Sequence, residues 1–396
     1  MLTFGDIGKE KFLSEFWQKK PCLIKNAFSD FHSPLTGDEL AGLSMEDDAS
    51  SRLIIGNPSE NPRTIKVHHG PFDDGVFENL SDGPFSLLVQ QVEDYIPSVA
   101  ELKKEFSFLK GWFLDDVMVS YASDGGGVGP HVDYYDVFLL QAVGKRNWRI
   151  GKMQSKEPGY VSGIELRIME NFEVADSFEL LEGDMLYLPP LVPHDGIAVG
   201  ESLTVSVGFR APSNAELLDH LLRKICANIP EWERFKFASE TNFKSDEKNQ
   251  ICKASVDYLK NLLEEKVSDS NIFIETFGEV VTKNVRSGVH GDLEKVEIGH
   301  YESEWDEFMS ELKSVSVFRL YESIRLATYR DRENLHFFID GASFKFAGEN
   351  PVLSELTNHR RISIETIHSQ GELCRVSKQV LVLLFRGGCF YSCEAD

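Results

Sequence analysis

Between Ser123 and Asp136 the chain reads Ser-Asp-Gly-Gly-Gly-Val-Gly-Pro-His-Val-Asp-Tyr-Tyr-Asp, and His131 and Asp133 within it are of metal-ligand type. A strand over residues 131–135 has a side-chain period of two, which places His131, Asp133 and Tyr135 on one face. A neutral imidazole beside one carboxylate suits a divalent cation. With a second histidine the pair becomes a facial triad of two histidines and a carboxylate, which leaves three coordination positions for cosubstrate and oxygen and favours non-haem iron(II). Zinc more often takes a closed tetrahedron or three histidines. The second histidine ends the segment Gly183-Asp184-Met185-Leu186-Tyr187-Leu188-Pro189-Pro190-Leu191-Val192-Pro193-His194. There a Gly-Asp turn, a short apolar strand and a Pro-rich turn bring His194 back to the same mouth.

A His-x-Asp pair alone is a weak signal, because His131 can equally be a hydrogen-bonded core histidine and Asp133 a turn residue. The glycine-rich approach, the Pro-Pro turn and the downstream histidine together give it weight. Gly125 to Gly129 could also cradle a phosphate, but the run lacks the Lys-Ser/Thr of a P-loop and opens no helix.

Short alternating apolar runs surround these residues: VMVSYA, YDVFLLQAV, NWRIG, DMLYLPP and LTVSVGF. With Gly and Pro between them they indicate a β barrel or sandwich over residues 1–212. KFLSEFW, SLLVQQVEDY and LKKEF carry apolar positions at helical spacing. At Ala211-Pro212-Ser213-Asn214 the character changes: Ser213 or Asn214 can cap a helix through AELLDHLLRKICANI, and SVDYLKNLLEEKV and IFIETFGEVVTKNV continue the helical pattern to about residue 286. RSGVHGDLEKVEIGHYESEWDE reads as an acidic, Gly-rich linker. Beyond it, helix-like LSELTNHR and SKQVLVLLFRGG with strand-like HFFIDGASFKF form a small α+β module, so that 287–396 is linker and module.

Length and charge limit the rest. A chain of 396 residues suits two or three domains, each with its own core. Six cysteines without CxxC spacing argue against a zinc module and fit a reducing compartment. No apolar stretch reaches the roughly 18 residues of a membrane span, and the charged N-terminus is unlike a signal peptide, so a cytoplasmic protein is expected. A net charge of −23 repels nucleic-acid backbones and suits a basic protein partner.

The two metal segments resemble the paired motifs of the cupin superfamily, with Asp133 in place of the second histidine of the first motif, as in JmjC-type oxygenases. The chain is more similar still to the bacterial ribosomal oxygenases, JmjC enzymes that hydroxylate an arginine of large-subunit ribosomal protein sixteen. The likeness runs in order through FWQKKPCLIKNAF, SRLI, HHGPF, SLLVQQV, GWFLDDVMVS, GGGVGPHVDYYDVFLLQ, GKRNWRIG, GDMLYLPPLVPH and VSVGFRAP. Asp124 stands where the general cupin motif has Pro and Leu191 where it has Gly, both in turns. The C-terminal third matches in pattern only.

The resemblance implies a double-stranded β-helix of cupin/JmjC type with flanking helices, a helical dimerisation segment over 213–286, and a winged-helix-like C-terminal module. It implies iron(II), with 2-oxoglutarate and oxygen as cosubstrates, and hydroxylation coupled to decarboxylation of 2-oxoglutarate to succinate. Arg146 is its candidate for the distal carboxylate of 2-oxoglutarate, a task that fits a bidentate guanidinium, and Ser120 shares that position. Asp116, Met118, Tyr135 and Ser206 form the arginine pocket by the same likeness. Strand alternation agrees, since 116, 118 and 120 share a face. The plain alternative is that Asp115 or Asp116 caps a turn after Trp112, with Met118 in the core. Lys145 and Arg149, on the face opposite to Arg146, are expected to be solvated, and Phe138, Leu140 and Trp148 to wall the pocket. Histidyl hydroxylation or lysine demethylation of a basic protein is the competing activity. A noncatalytic cupin-like binding module is the competing class. The acidic and basic residues of 315–396 are in balance, which favours protein contact over nucleic-acid binding there.

Overall fold

The computed structural model describes residues 1–392 except 29, 81–82, 236–250, 252, 284–292, 294–300 and 370–372. His194 and Arg146 sit on one large antiparallel sheet. Its strands are β1 (Cys22–Ile24), β2 (Ser51–Ile55), β3 (Lys66–His69), β4 (Phe85–Val89), β5 (Leu114–Ala122), β6 (Asp136–Ile150), β7 (Asp176–Leu180), β8 (Met185–Leu188) and β9 (His194–Phe209). They lie in the order β1-β8-β6-β9-β5-β4-β2-β3, with β7 also on β6. Hydrogen bonding follows this open path, and among the described residues no ring of strands closes into the expected barrel.

Two long strands dominate. YDVFLLQAV and NWRIG, expected as separate runs, are one strand, β6, and LTVSVGF is the second half of β9. The two pair over nearly their whole length, with register shifts between Gln141 and Val143 and between Gly144 and Lys145. Each extra residue in a ladder turns the following side chains to the other face. On β6 the face shared with His194 and Ser206 is therefore Val137 and Leu139 before the shifts, and Arg146, Trp148 and Ile150 after them.

This corrects the expected pocket walls. Phe138 and Leu140 lie on the opposite face, in the main core with Phe12, Phe106, Val117, Val119 and Val207. Phe138 is fully buried there, its ring 5.1 Å from that of Phe106 and 5.0 Å from that of Tyr187. Val137 and Leu139 pack instead with Trp148, Ile150, Leu186 and Val192.

Helices α1 (Lys9–Glu15), α2 (Gly37–Leu43), α3 (Asp74–Glu78) and α4 (Pro97–Lys104) flank the sheet. KFLSEFW and LKKEF thus contribute to helices, as their spacing predicts. SLLVQQVEDY does not: its first half is β4, hydrogen-bonded between β2 and β5, and Leu87 and Leu88 are buried on its two faces. A strand buried on both faces reads as a continuous apolar run, and periodicity alone cannot separate it from a buried helix.

The helical segment comprises α5 (Asn214–Ala227), α6 (Lys253–Lys266) and α7 (Ser270–Thr282). Ser213 caps α5 in a reciprocal box with Glu216. The C-terminal module holds α8 (Tyr301–Val315), β10 (Val317–Leu320), β11 (Leu326–Arg330), β12 (Asn334–Ile339), β13 (Ala342–Ala347), α9 (Pro351–His359), β14 (Arg361–Ser363), α10 (Ile364–Ser369), α11 (Arg375–Arg386) and β15 (Phe390–Ser392). Its strands form two three-stranded sheets around a core of its own. YESEWDE opens α8 rather than belonging to a linker. Most of the rest of the expected linker, with Cys252 and Cys393, lies outside the described residues.

Candidate functional site

His131, Asp133 and His194 offer three ligand atoms that lie within 4.8 Å of one another. The sheet does this without the strand expected over 131–135. Only His131 is bridged, its N–H donating to the His194 carbonyl at 3.0 Å and its carbonyl accepting from the His194 N–H at 2.9 Å. Asp133 is held from behind: its carbonyl accepts the Leu191 N–H at 2.8 Å. Leu191 reaches that position with φ 65°, a left-handed conformation at the place where the cupin motif has glycine. Asp124, the other departure, accepts the Gly200 N–H at 2.7 Å and so ties the glycine run to β9.

The glycines have a packing reason. A Cβ on Gly127 would stand 2.5 Å from the Gly196 carbonyl oxygen. Only a bare backbone lets this segment lie along β9 and deliver His131 beside His194.

Both imidazoles are oriented for ligation. Nδ1 of His131 meets the Gly129 carbonyl at 2.8 Å, and Nδ1 of His194 meets the Val192 carbonyl at 2.9 Å. Each Nε2 is left toward Asp133, at 3.9 and 3.5 Å from its Oδ2. A backbone acceptor on Nδ1 fixes the tautomer with the lone pair on Nε2. Burial, with His131 adjacent, pushes His194 down to about 4, so its Nε2 is unprotonated at neutral pH.

Arg146 lies on the same face of β6, and only 4% of its surface is exposed. Its Nη1 donates to Ser120 Oγ at 3.2 Å, while Nε and Nη2 are buried with no hydrogen-bond partner. Burial lowers its pKa to about 10. Trp148 stands between this cation and the metal ligands, its ring 5.9 Å from the guanidinium carbon and 5.8 Å from the His194 ring. Its Nε1 is also buried and unpaired. A buried guanidinium with unspent donors is costly unless an anion completes it. The residues present therefore fit a metal and a carboxylate ligand side by side.

Met118 and Ser206 are Cα partners across β5 and β9, and Ser120 pairs with Thr204 one step along the same face. Asp116 is 5% exposed, and a Cβ on Gly208 of β9 would stand 3.5 Å from its Oδ1. Tyr135 is half-buried against the Val137–Trp148 cluster, and Met118 against Leu88 and Ile168. The structure thus brings the expected metal, cosubstrate and substrate residues near one face or its rim, while Phe138 and Leu140 lie on the other.

Lys145 is exposed as expected, but Arg149 is not a free surface charge: its guanidinium pairs with Asp195, which is fully buried and also accepts from Ser59 Oγ at 2.9 Å. This clamp on the residue after His194 was missed. The only sequence signal for it is the acid adjacent to a ligand histidine.

Residues 101–217 match the JmjC domain model. The chain is 35% identical over 285 residues to the ribosomal protein uL16 3-hydroxylase of Escherichia coli, covering 69% of this chain and 71% of that protein. The chain belongs to the JmjC ribosomal oxygenases. The X-ray structure of E. coli YcfD superposes on 99% of either chain with TM-score 0.79 and 28% identity. That of YcfD, a ribosomal oxygenase, in complex with cobalt and 2-oxoglutarate matches with TM-score 0.75 and 28% identity, covering 96% of this chain and 97% of the other. This ribosomal oxygenase is accordingly a metal- and 2-oxoglutarate-dependent enzyme, and its His-Asp-His triad and half-satisfied arginine are the chemistry such an enzyme requires.

Proposed function

We propose that this ribosomal oxygenase hydroxylates an arginine, at the β-carbon, of the large-subunit ribosomal protein uL16, with iron(II) held by His131, Asp133 and His194. The observation that carries the reading is a buried, incompletely satisfied cation, Arg146, bonded to Ser120 on the strand that also carries the buried acid Asp116. The unspent donors of Arg146 suit the carboxylate of 2-oxoglutarate, and the carboxylate of Asp116 suits a substrate guanidinium.

When bound, the iron centre supplies oxidative decarboxylation of 2-oxoglutarate coupled to insertion of oxygen into a C–H bond. The chain supplies the rest. Arg146 and Ser120 orient the distal carboxylate of 2-oxoglutarate. Asp116 holds the substrate guanidinium, and Met118, Tyr135 and Ser206 line its stem. Trp148, Val137 and Leu139 keep water from the reacting atoms. Incubation with iron(II), 2-oxoglutarate and recombinant uL16, followed by fragment mass spectrometry, tests this. The expected result is one added oxygen on an arginine. Oxygen on a histidine, or loss of lysine methyl groups, would displace it.

Finer assignments accompany the reading. A substrate on the ribosome implies the cytoplasm, and among the described residues no helix is long and apolar enough to cross a membrane. The charge of −23 suits a basic substrate protein. Residues 1–212, 213–286 and 287–396 serve as oxygenase, dimerisation and winged-helix-like units. Exposed Leu218 and Leu222 on α5, with Leu259 and Leu263 on α6, support a second copy as the cover of this face. Sedimentation at micromolar concentration should give a dimer, and a monomer would refute that assignment.

A further inference from the structure

The buried charges at the far end of β5 lie outside the chemistry above. β5 has a register shift between Leu114 and Val117, so the neighbouring acids Asp115 and Asp116 sit in the irregular stretch where the ladder no longer fixes them. Asp116 lies by Gly208 on the pocket face. Asp115 turns to the C-terminal module, where it pairs with Arg325, both side chains being almost wholly buried. The N–H of Val117, which ends the irregular stretch, donates to Glu93 Oε2 at 2.9 Å. Glu93 Oε1 is met at 3.1 Å by Lys103 Nζ, which also donates at 2.6 Å to the carbonyl of Glu322. The adjacent Ser323 N–H donates to Asp94 Oδ1 at 2.8 Å. Residues 322–325 of the module, between β10 and β11, thus grip both sides of the stretch that carries Asp116.

Charge makes the grip consequential. Glu93, Asp115 and Asp116 are three buried carboxyls, and burial, Asp116 and Asp94 all push Glu93 upward while Lys103 pulls it down. Without Arg325 and Lys103 the repulsion within this cluster is relieved by movement of the backbone, which displaces the cation site.

We propose that the C-terminal module acts as a positioning element for substrate recognition, with Arg325, through Asp115, setting the geometry of Asp116. The inference rests on the arginine-pocket reading. It assigns the module a part in specificity that requires no contact with substrate.

The test is steady-state kinetics of the full-length enzyme with a uL16 peptide containing the target arginine. Peptide-independent 2-oxoglutarate decarboxylation is followed in parallel. Arg325→Met is expected to raise the peptide KM at least tenfold, with the KM for 2-oxoglutarate and the peptide-independent rate within twofold of wild type. Arg325→Lys, which keeps the charge but loses the planar fork, recovers part of the peptide KM. A folded Arg325→Met enzyme with unchanged peptide KM overturns the proposal. So does a parallel fall of both activities, which marks a merely structural role. If Arg325→Met does not fold, Arg325→Lys and Asp115→Asn are read by the same split, a several-fold rise in peptide KM alone being expected and an unchanged value being fatal. Asp116→Asn separates the two readings. If it raises the peptide KM and the Arg325 variants do not, only the positioning role fails. If it does not, the arginine pocket fails and this role with it.

Discussion

Replacing Arg146 by methionine should make the ligand-free protein more stable and the enzyme nearly inactive. Burial moves the guanidinium from its ordinary 12.5 to about 10, and at about 1.4 kcal/mol per pH unit the charge costs the empty fold about 3 kcal/mol. Methionine has a similar reach and no charge. It forfeits the bond to Ser120, of about 1 kcal/mol, so the net relief is about 2 kcal/mol, or a few degrees in melting temperature. 2-Oxoglutarate opposes this gain. At a hundredfold excess over its Kd a ligand adds about 2.7 kcal/mol to the wild type, whereas the variant has lost a buried charge pair of about 2–5 kcal/mol and binds on the order of 30-fold to several-thousand-fold more weakly. Melting curves of both proteins with a divalent metal, with and without 2-oxoglutarate, should therefore show a ligand-induced rise in the wild type that is mostly lost in the variant, and a reversed order where binding is weakened about 100-fold or more. If the variant melts several degrees below wild type without ligand, or keeps the ligand-induced rise, Arg146 is a structural residue and does not hold the carboxylate.

Substitutions at three further positions probe the remaining parts of the site. Asp133→Ala removes the anionic ligand, so metal affinity by titration calorimetry and 2-oxoglutarate decarboxylation should collapse together while the circular dichroism spectrum is kept; near-normal turnover would dismiss the triad. Asp116→Asn keeps shape and drops charge, and uL16 hydroxylation should fall by about 30-fold or more while 2-oxoglutarate still raises the melting temperature. Unchanged hydroxylation would remove the main physical support for an arginine substrate. Leu191→Gly relieves a left-handed leucine worth about 1–2 kcal/mol and should leave metal affinity intact, whereas Leu191→Ile, stiffer at Cβ, should weaken it; equal metal affinities would show that the Leu191–Asp133 bond does not position the ligand.

Ligand types and spacing were legible in the sequence because they depend on chemistry, and the residues named for the site do converge. Facing was less legible. Alternation along β5 places Met118 and Ser120 together correctly, since the ladder runs without interruption from Val117 to Ala122, whereas Asp116 lies just before it in the irregular stretch. On β6 the same rule, carried back from Trp148 to Phe138 and Leu140, fails because the first of two register shifts adds one residue, Ala142, between them, while the second adds two residues to β9 and turns nothing. No residue type announces these shifts except Gly144, whose φ of 68° is the conformation that a bulge exploits. Leu87 and Leu88 were misassigned for a different reason: burial on both faces erases the period that tells strand from helix. The fate of Arg149 depended on a partner, Asp195, on a strand far away in sequence, and pairing of that kind leaves no local trace.

The two irregular stretches also explain how one sheet presents opposite charges a short way apart. A regular ladder between β5, β9 and β6 would keep a single face throughout. The first shift in β6 turns Arg146 and Trp148 onto the face of His194, and the irregular start of β5 separates Asp115 from Asp116, so that one acid is neutralised by Arg325 while its neighbour remains on the pocket face. Each irregularity lies beside a charge that a continuous strand would have buried among apolar side chains or turned outward. Their cost in ladder hydrogen bonds is met by side chains, Glu93 at Val117 and Gln141 Nε2 at the Val143 carbonyl. On the proposed reading, binding of anion and cation at this face depends on where the sheet departs from regularity, and substitutions that straighten it should damage substrate and 2-oxoglutarate binding separately, according to which strand is straightened.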